Sequence, residues 1–477
     1  MAYRQAERKQ RLLFPESLDE YILQEDPVRA YDAFVDALDI ESLGIESDPH
    51  KVGCPQYDPR IMLKILVYGC SYGIRSSRKL ERALHHNLSF IWLAGALKPD
   101  HKTIAEFRRR NKKALKEVLK QCARLCMELD LISGNTLFVD GSKFRGNVSL
   151  NNHWTPERCQ KYLVKLDQRI DEILAECEST DDQESDDGSL VELKAELSDK
   201  RKLKAKVEGV LEKLHTEGLT HFNTTDNDSA RMRGRQGSHA GYNAQIVVDD
   251  RHGLIVHSDV VNANNDLGQF ANQVEQANQT LGQPCKAACG DAGYANGEEL
   301  EKVDAQGIAV IVPSSKQAAG KDSGPFDKGR FRYVAEDDVY VCPEGIQLPY
   351  RRVNGSRGQM EYYPGRGVCT QCRHFGVCTS NVTTGRKIIR YENELVRQKI
   401  ASEYEQSCSQ QIYSRRKQKV ELPFGHIKRN LGVDSFLLRG LAGVRAEMSV
   451  MCSCFNIARL IGLFGVSGLI RRFMVFG

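Results

Sequence analysis

The chain has 477 residues, more than a single hydrophobic core usually organises, so several domains or one domain carrying large insertions are expected. Its 67 Lys and Arg nearly balance 63 Asp and Glu, and the net charge of +4 excludes reading a partner from total charge. Residues 1–13 are polar and basic without an apolar signal-peptide core, and no apolar run reaches membrane-span length, the C-terminal one being interrupted by Arg445, Glu447 and Arg459. Together with an odd number of cysteines, fifteen, this predicts a cytoplasmic protein without a disulfide framework or a membrane partner.

Charge is unevenly placed. Residues 101–130 hold nine Lys or Arg against four acids, residues 412–445 hold eight against two, and residues 176–187 hold seven acids and no base. Basic stretches suit phosphate backbones, and they also suit ordinary solvated helix faces.

Residues 1–130 read as helical. Pro59 opens an apolar stretch that halts near Gly69 and Gly73, Ser76 can cap a helix through Leu84, and Thr103 with Glu106 has capping-box spacing for a third helix. That third helix carries Arg108, Arg109 and Arg110, candidates for DNA contact. Short helices and glycine turns suit a helix-turn-helix arrangement, or a small bundle without DNA binding.

The period then changes. Residues 136–140 form a short apolar strand ending in a carboxylate, 242–248 and 254–261 read as a hairpin about the turn 249–253, and further strands are expected at 287–289 and 308–312. Between the first strand and the hairpin, Leu163, Leu166, Ile170, Ile173 and Cys177, then Leu203, Val207, Val210 and Leu214, keep a helical stripe. The acidic segment 179–189 separates them, which predicts an antiparallel helical hairpin. The fold class expected is multidomain α/β. Its boundaries are drawn at 1–130 (helical), 131–465 (α/β, with a helical-hairpin insertion at 155–220 and a Cys-rich insertion at 330–385) and 466–477 (tail).

Phe138-Val139-Asp140-Gly141-Ser142 and Cys289-Gly290-Asp291-Ala292-Gly293-Tyr294 each put an acid at a strand end before glycine. Either alone could be a turn former. Glu421, in Val420-Glu421-Leu422-Pro423-Phe424-Gly425-His426-Ile427-Lys428, stands among cations, where a surface salt bridge is the plain alternative. Pro423 would sit near a helix start or mark a kink. Three carboxylates from distant segments would supply the hard oxygen ligands that Mg²⁺ accepts when phosphates complete its shell. Two ions about 4 Å apart can then serve an in-line phosphoryl displacement.

In order and separation these segments resemble the DDE transposases of bacterial insertion sequences. On that resemblance Asp140, Asp291 and Glu421 are the three catalytic acids holding Mg²⁺ or Mn²⁺. Tyr413, Arg416 and Lys428 occupy the family's Tyr, Arg and Lys positions around Glu421 and would contact DNA, although Arg416 to Glu421 is one residue longer than the familiar spacing. Gly241-Tyr242-Asn243-Ala244-Gln245 resembles the second-strand motif, and residues 10–110 resemble the N-terminal helical domain. The resemblance implies an RNase H-like core with a mixed sheet, and cleavage at terminal inverted repeats followed by joining to target double-stranded DNA. It also implies a homodimer on DNA, associated with the nucleoid. A DNA-binding relative without chemistry, or an RNase H-like nuclease without strand joining, remain the alternatives. His426 and His239 are nearby in sequence and read as structural.

Cys342, Cys369, Cys372 and Cys378 permit a closed, structural Zn²⁺ site with His374 as a substitute ligand, or reduced metal-free thiols. Cys452 and Cys454 read as core residues.

Overall fold

The computed structural model describes residues 17–46, 56–181, 187–234, 237–320, 324–354 and 359–475, without the side chains of 178–191. The basic start and the acidic side chains expected at the hairpin tip lie outside the described residues. Contacts divide the chain into two units, Met1–Ser133 with Gly141–Asn264 and Val420–Gly477, and Gly134–Asp140 with Asn265–Lys419.

Among the described residues, a short 3-10 helix (Leu18–Tyr21) in the first unit is followed by the α-helices α1 (Pro27–Asp36), α2 (Pro59–Ser71), α3 (Ser77–His86), α4 (Leu88–Leu93), α5 (His101–Arg110) and α6 (Lys112–Glu128). Both α1 and α2 start with an Asp-Pro pair. Asp26 accepts from the Val28 N–H at 2.9 Å and Asp58 from the Arg60 N–H at 2.8 Å, while proline fills the position whose N–H would go unused. The capping box expected at Thr103 and Glu106 does not form. Asp100 caps α5 instead, accepting from the Thr103 N–H at 2.7 Å, because it precedes the helix and its carboxylate is free to reach back; Glu106 is taken by Arg109 and Arg110.

The helical region is not packed on itself alone. The C-terminal helix Leu441–Phe473 lies against α1, α2 and α6 in the same unit. Contrary to the sequence expectation, this helix is long and apolar enough to cross a membrane, with an 18-residue window of mean hydropathy 1.6, but 61 % of that window is buried inside the fold. Its polar groups are spent internally. Asn456 accepts from the Ile255 N–H and donates to the Ile255 carbonyl, both at 2.8 Å, and Ser449 Oγ donates to the Lys116 carbonyl at 2.8 Å. Arg445 pairs with Asp259 at 2.6 Å, Glu447 accepts from the Leu437 and Leu438 N–H groups, and Arg459 donates to the His252 carbonyl. These side chains fasten a core helix rather than merely interrupting an apolar run. The tail drawn from residue 466 begins at the one non-helical residue of this helix, Gly465 (φ 67°), but continues as helix, with Leu469 and Phe473 buried.

Strand β1 (Thr136–Arg145) passes from the second unit into the first after Asp140. In the first unit β2 (Ala230–Gly234), β3 (Gly237–Asp249) and β4 (Ile255–Val261) pair antiparallel, the hairpin expected from 242–261 included. Gly241 is required for this: a Cβ there would stand 2.1 Å from the Phe144 carbonyl oxygen. Tyr242 beside it is buried, its hydroxyl donating to Asp226 at 2.7 Å. The insertion helices α7 (Pro156–Asp181) and α8 (Asp187–Thr216) run antiparallel around Leu166, Val207, Val210 and Leu214, and are cross-tied by Arg169 to Glu196 (3.2 Å) and Lys204 to Asp167 (2.6 Å).

In the second unit the start of β1 pairs parallel with β5 (Ala287–Cys289), and β5 with β6 (Ala309–Ile311). Parallel and antiparallel pairings together make the sheet mixed. A separate antiparallel sheet, β7 (Arg332–Val334), β8 (Val339–Val341), β9 (Gln347–Asn354), β10 (Gln359–Tyr362) and β11 (Ile388–Arg390), closes over Phe331, Tyr340, Leu348, Tyr362 and Ile388.

Candidate active site

The register of β1 on β5 sets the centre of the second unit. Phe138 is opposite Cys289, so Asp140 and Asp291 each stand two residues beyond the last paired position, at the same end of neighbouring parallel strands. Apolar Leu137, Phe138 and Val139 hold β1 in the core and deliver Asp140 at its edge. Asp291 caps a short 3-10 helix, accepting from the Gly293 N–H at 2.8 Å. Behind it Tyr294 is buried, and burial, reinforced by the charges of Asp266, Asp140 and Asp291, pushes its phenol well above the ordinary range.

A cation lies across the two acids. Arg416 Nη2 donates to Asp140 Oδ1 at 2.6 Å and stands 3.4 Å from Asp291 Oδ2, its side chain only 13 % exposed. The expected phosphate-binding arginine is thus engaged with carboxylates. It lies on the helix Ser407–Gly425, as does Tyr413, which meets Tyr404 edge-on at 5.2 Å and whose phenol is raised chiefly by burial.

Glu421 is exposed, farther along the same helix. The extra residue in its spacing matters, because at 100° per residue Lys417, four positions earlier, shares the face of Glu421, whereas Arg416 shares that of buried Val420. Pro423 falls inside this helix rather than at its start, and past Gly425 residues His426–Asn430 form a π-helical turn. Proline removes one donor from the α ladder, and the widened turn changes the face on which Lys428 emerges relative to a continuous α-helix. In the first unit Lys428 donates to Ser142 Oγ at 2.6 Å and lies 4.7 Å over the Phe144 ring.

Among the described residues no group of three or more His, Cys, Asp or Glu side chains stands close enough together to hold a metal ion as placed. The structure therefore brings Asp140 and Asp291 together, with Arg416 between them. A third acid of the same unit lies near them without a motif to mark it in the sequence. Asp266 flanks Gly293: a Cβ on that glycine would lie 2.8 Å from Asp291 Oδ1 and 3.8 Å from Asp266 Oδ2. Its only sequence signal is an acid in the polar loop after β4.

The DNA-binding candidates of α5 divide. Arg109 and Arg110 are each 68 % exposed and share Glu106, whose carboxyl they hold down at about 2. Arg108 is half-buried and donates to the Arg75 carbonyl at 2.8 Å; burial lowers its pKa, while the charge of Glu447 partly offsets that effect. His239 and His426 are both held below the ordinary histidine range by burial.

Cys342, Cys369, Cys372 and Cys378 line one pocket of the second unit with His374. Cys342 begins the turn from β8 to β9, where the Ile346 N–H donates to its sulfur at 3.3 Å, and the Arg386 N–H donates to Cys369 Sγ at 3.4 Å. His374 is engaged by Glu344 at 3.1 Å. All described cysteines are free of disulfides, and Cys452 and Cys454 are buried in the C-terminal helix.

Two family models match the chain. Residues 16–110 match a transposase domain of the DUF772 family, and residues 341–461 match the transposase DDE domain. The second match includes Arg416, Glu421, Lys428 and the four cysteines and begins after Asp140 and Asp291. No curated protein and no solved structure matches the chain. A helical N-terminal region and residues 341–461 of the remainder each match a transposase domain, which points to an enzyme of DNA transposition. More particularly, the two matches support a DDE-type transposase of an insertion element.

Proposed function

We propose that the protein cleaves the ends of an insertion sequence and joins them to target DNA at one metal centre built from Asp140, Asp291 and Glu421 on an RNase H-like core. The observation that carries this reading is the paired placement of Asp140 and Asp291 on adjacent parallel strands, with a cation already drawn to both. Carboxylate oxygens that collect a guanidinium are a donor set suited to Mg²⁺ or Mn²⁺. When bound, such ions activate the attacking oxygen and stabilise the leaving oxygen of a phosphoryl transfer. Asp140 and Asp291 would hold the ions, with Glu421 as the third acid. Lys428, which donates to Ser142, two residues after the first acid, positions a phosphate as a point charge. Exposed Arg109 and Arg110 bind the DNA backbone. The protein works as a homodimer on terminal inverted repeats in the bacterial cytoplasm.

We also propose a structural Zn²⁺ held by Cys342, Cys369, Cys372 and Cys378. Four thiols lining one pocket of the second unit support it, sulfur being a ligand that structural zinc accepts.

The deciding experiment incubates the full chain with element-end DNA and Mg²⁺ and resolves the products. Nicked ends followed by joined target strands are expected. Asp291→Asn should lose both while retaining DNA binding, because it keeps the side-chain shape without the charge. Nicks without joining would identify a nuclease, and an Asp291→Asn variant with normal cleavage would return that residue to a turn former.

A further inference from the structure

Two carboxylates brought to neighbouring strand ends repel each other unless a positive charge sits with them. Arg416 supplies that charge, and a guanidinium cannot shed it by deprotonation. One nitrogen, Nη2, reaches both acids, at 2.6 Å from Asp140 and 3.4 Å from Asp291. The seat is not fully satisfying, because the Nε atom of Arg416 is buried and has no hydrogen-bond partner among the described residues. A permanent structural arginine usually has its buried donors paired, since an unpaired one costs free energy. Arg416 therefore has something to gain by leaving.

We propose that Arg416 is the resident counter-cation of the metal-free site, competing with divalent metal for Asp140 and Asp291, so that metal loading releases its guanidinium. The inference rests on the reading of these two aspartates as metal ligands. Asp140 Oδ1 and Asp291 Oδ2, the atoms facing Arg416, are oxygens a metal ion needs, and two cations crowded on one carboxylate pair repel each other. Competition is reciprocal: the factor by which Arg416 weakens metal binding is the factor by which metal weakens the hold on Arg416. The released guanidinium keeps its charge and its fork of donors, which fits a phosphate. Metal entry thus precedes engagement of this arginine with DNA.

The test uses the full chain without DNA and Mn²⁺ as the probe, with free Mn²⁺ followed by electron paramagnetic resonance. Arg416→Gln should bind Mn²⁺ more tightly than the unaltered protein, by roughly 5- to 150-fold, the usual range of such coupling. Arg416→Lys, which keeps the charge but loses the planar fork, should fall between them. In thermal unfolding Arg416→Gln should be less stable than the unaltered protein without metal, and saturating Mn²⁺ should narrow the gap. Equal or weaker Mn²⁺ binding by folded Arg416→Gln overturns the proposal; if that variant does not fold, Arg416→Lys binding no more tightly than the unaltered protein overturns it. Asp291→Asn separates the underlying reading, since it should lose Mn²⁺ affinity whatever Arg416 does. Unchanged affinity there refutes the metal-ligand assignment itself.

Discussion

Single residues here carry roles that residue type leaves open. Three consecutive arginines on α5 look alike in sequence, yet Arg108 supports the fold through the Arg75 carbonyl while Arg109 and Arg110 face solvent. Arg108→Ala should destabilise the protein by about 1–3 kcal/mol, the cost of leaving buried polar groups unpaired, as denaturant unfolding would register. The Arg109→Ala, Arg110→Ala double variant should unfold normally but bind DNA less tightly. Its affinity should depend less on salt, the slope falling by roughly 0.9 per lost phosphate contact. Asn456 is another such residue, because both its amide groups serve the backbone of Ile255 at the start of β4. Asn456→Ala should cost at least about 2 kcal/mol in the same measurement, by stranding one donor and one acceptor.

At the level of elements, periodicity was a good guide wherever an element buries one face. The helical hairpin α7–α8 follows its apolar stripe, and the β3–β4 hairpin follows its alternation. End effects were harder to read. The α5 cap moved to Asp100 because several polar residues there could accept an N–H, and the widened turn after Gly425 arises from a proline inside a helix that neighbouring contacts keep intact. The antiparallel sheet β7–β11 is a small element with a modest core, which is where a metal adds most. Purified protein should carry about one zinc per chain, measured by atomic emission, and Cys369→Ser with Cys372→Ser should remove it. Chelation should melt this sheet ahead of the rest, as hydrogen exchange over 332–390 would register. A chain free of zinc and indifferent to chelator would leave the thiols reduced and metal-free.

For the whole molecule, two histidines of the first unit link folding to pH. Burial, together with nearby His221, lowers His153 to about 4, and burial with nearby Lys116 and Lys120 lowers His257 to about 3. Both have a buried ring nitrogen without a hydrogen-bond partner among the described residues. A folded pKa below the unfolded value of about 6.5 means that the unfolded chain takes up protons first as pH falls. Stability should be full above about pH 6.5 and then decline toward pH 4 for His153 and toward pH 3 for His257, by at most about 1.4 kcal/mol per pH unit for each group. Urea unfolding at stepped pH would measure this slope, and His257→Gln should flatten it; an unchanged slope would locate the acid sensitivity elsewhere.

The sequence by itself determined the α/β class, and it marked the paired helical stripes and the strand-end positions of Asp140 and Asp291, because each is written in a local pattern: a period, or an apolar run closed by an acid. Tertiary structure decided the remainder. Only the register of β1 on β5 makes neighbours of residues 140 and 291, and only packing gives Arg416 two carboxylates and brings Asp266 alongside. The helical N-terminal region reads as a domain of its own, yet it shares a core with a C-terminal helix more than 300 residues away, whose composition alone would suit a membrane. The physical reason is common to these cases. Apolar surface and charge state what a segment must be rid of, whereas the partner that relieves it lies far along the chain and is chosen by the fold.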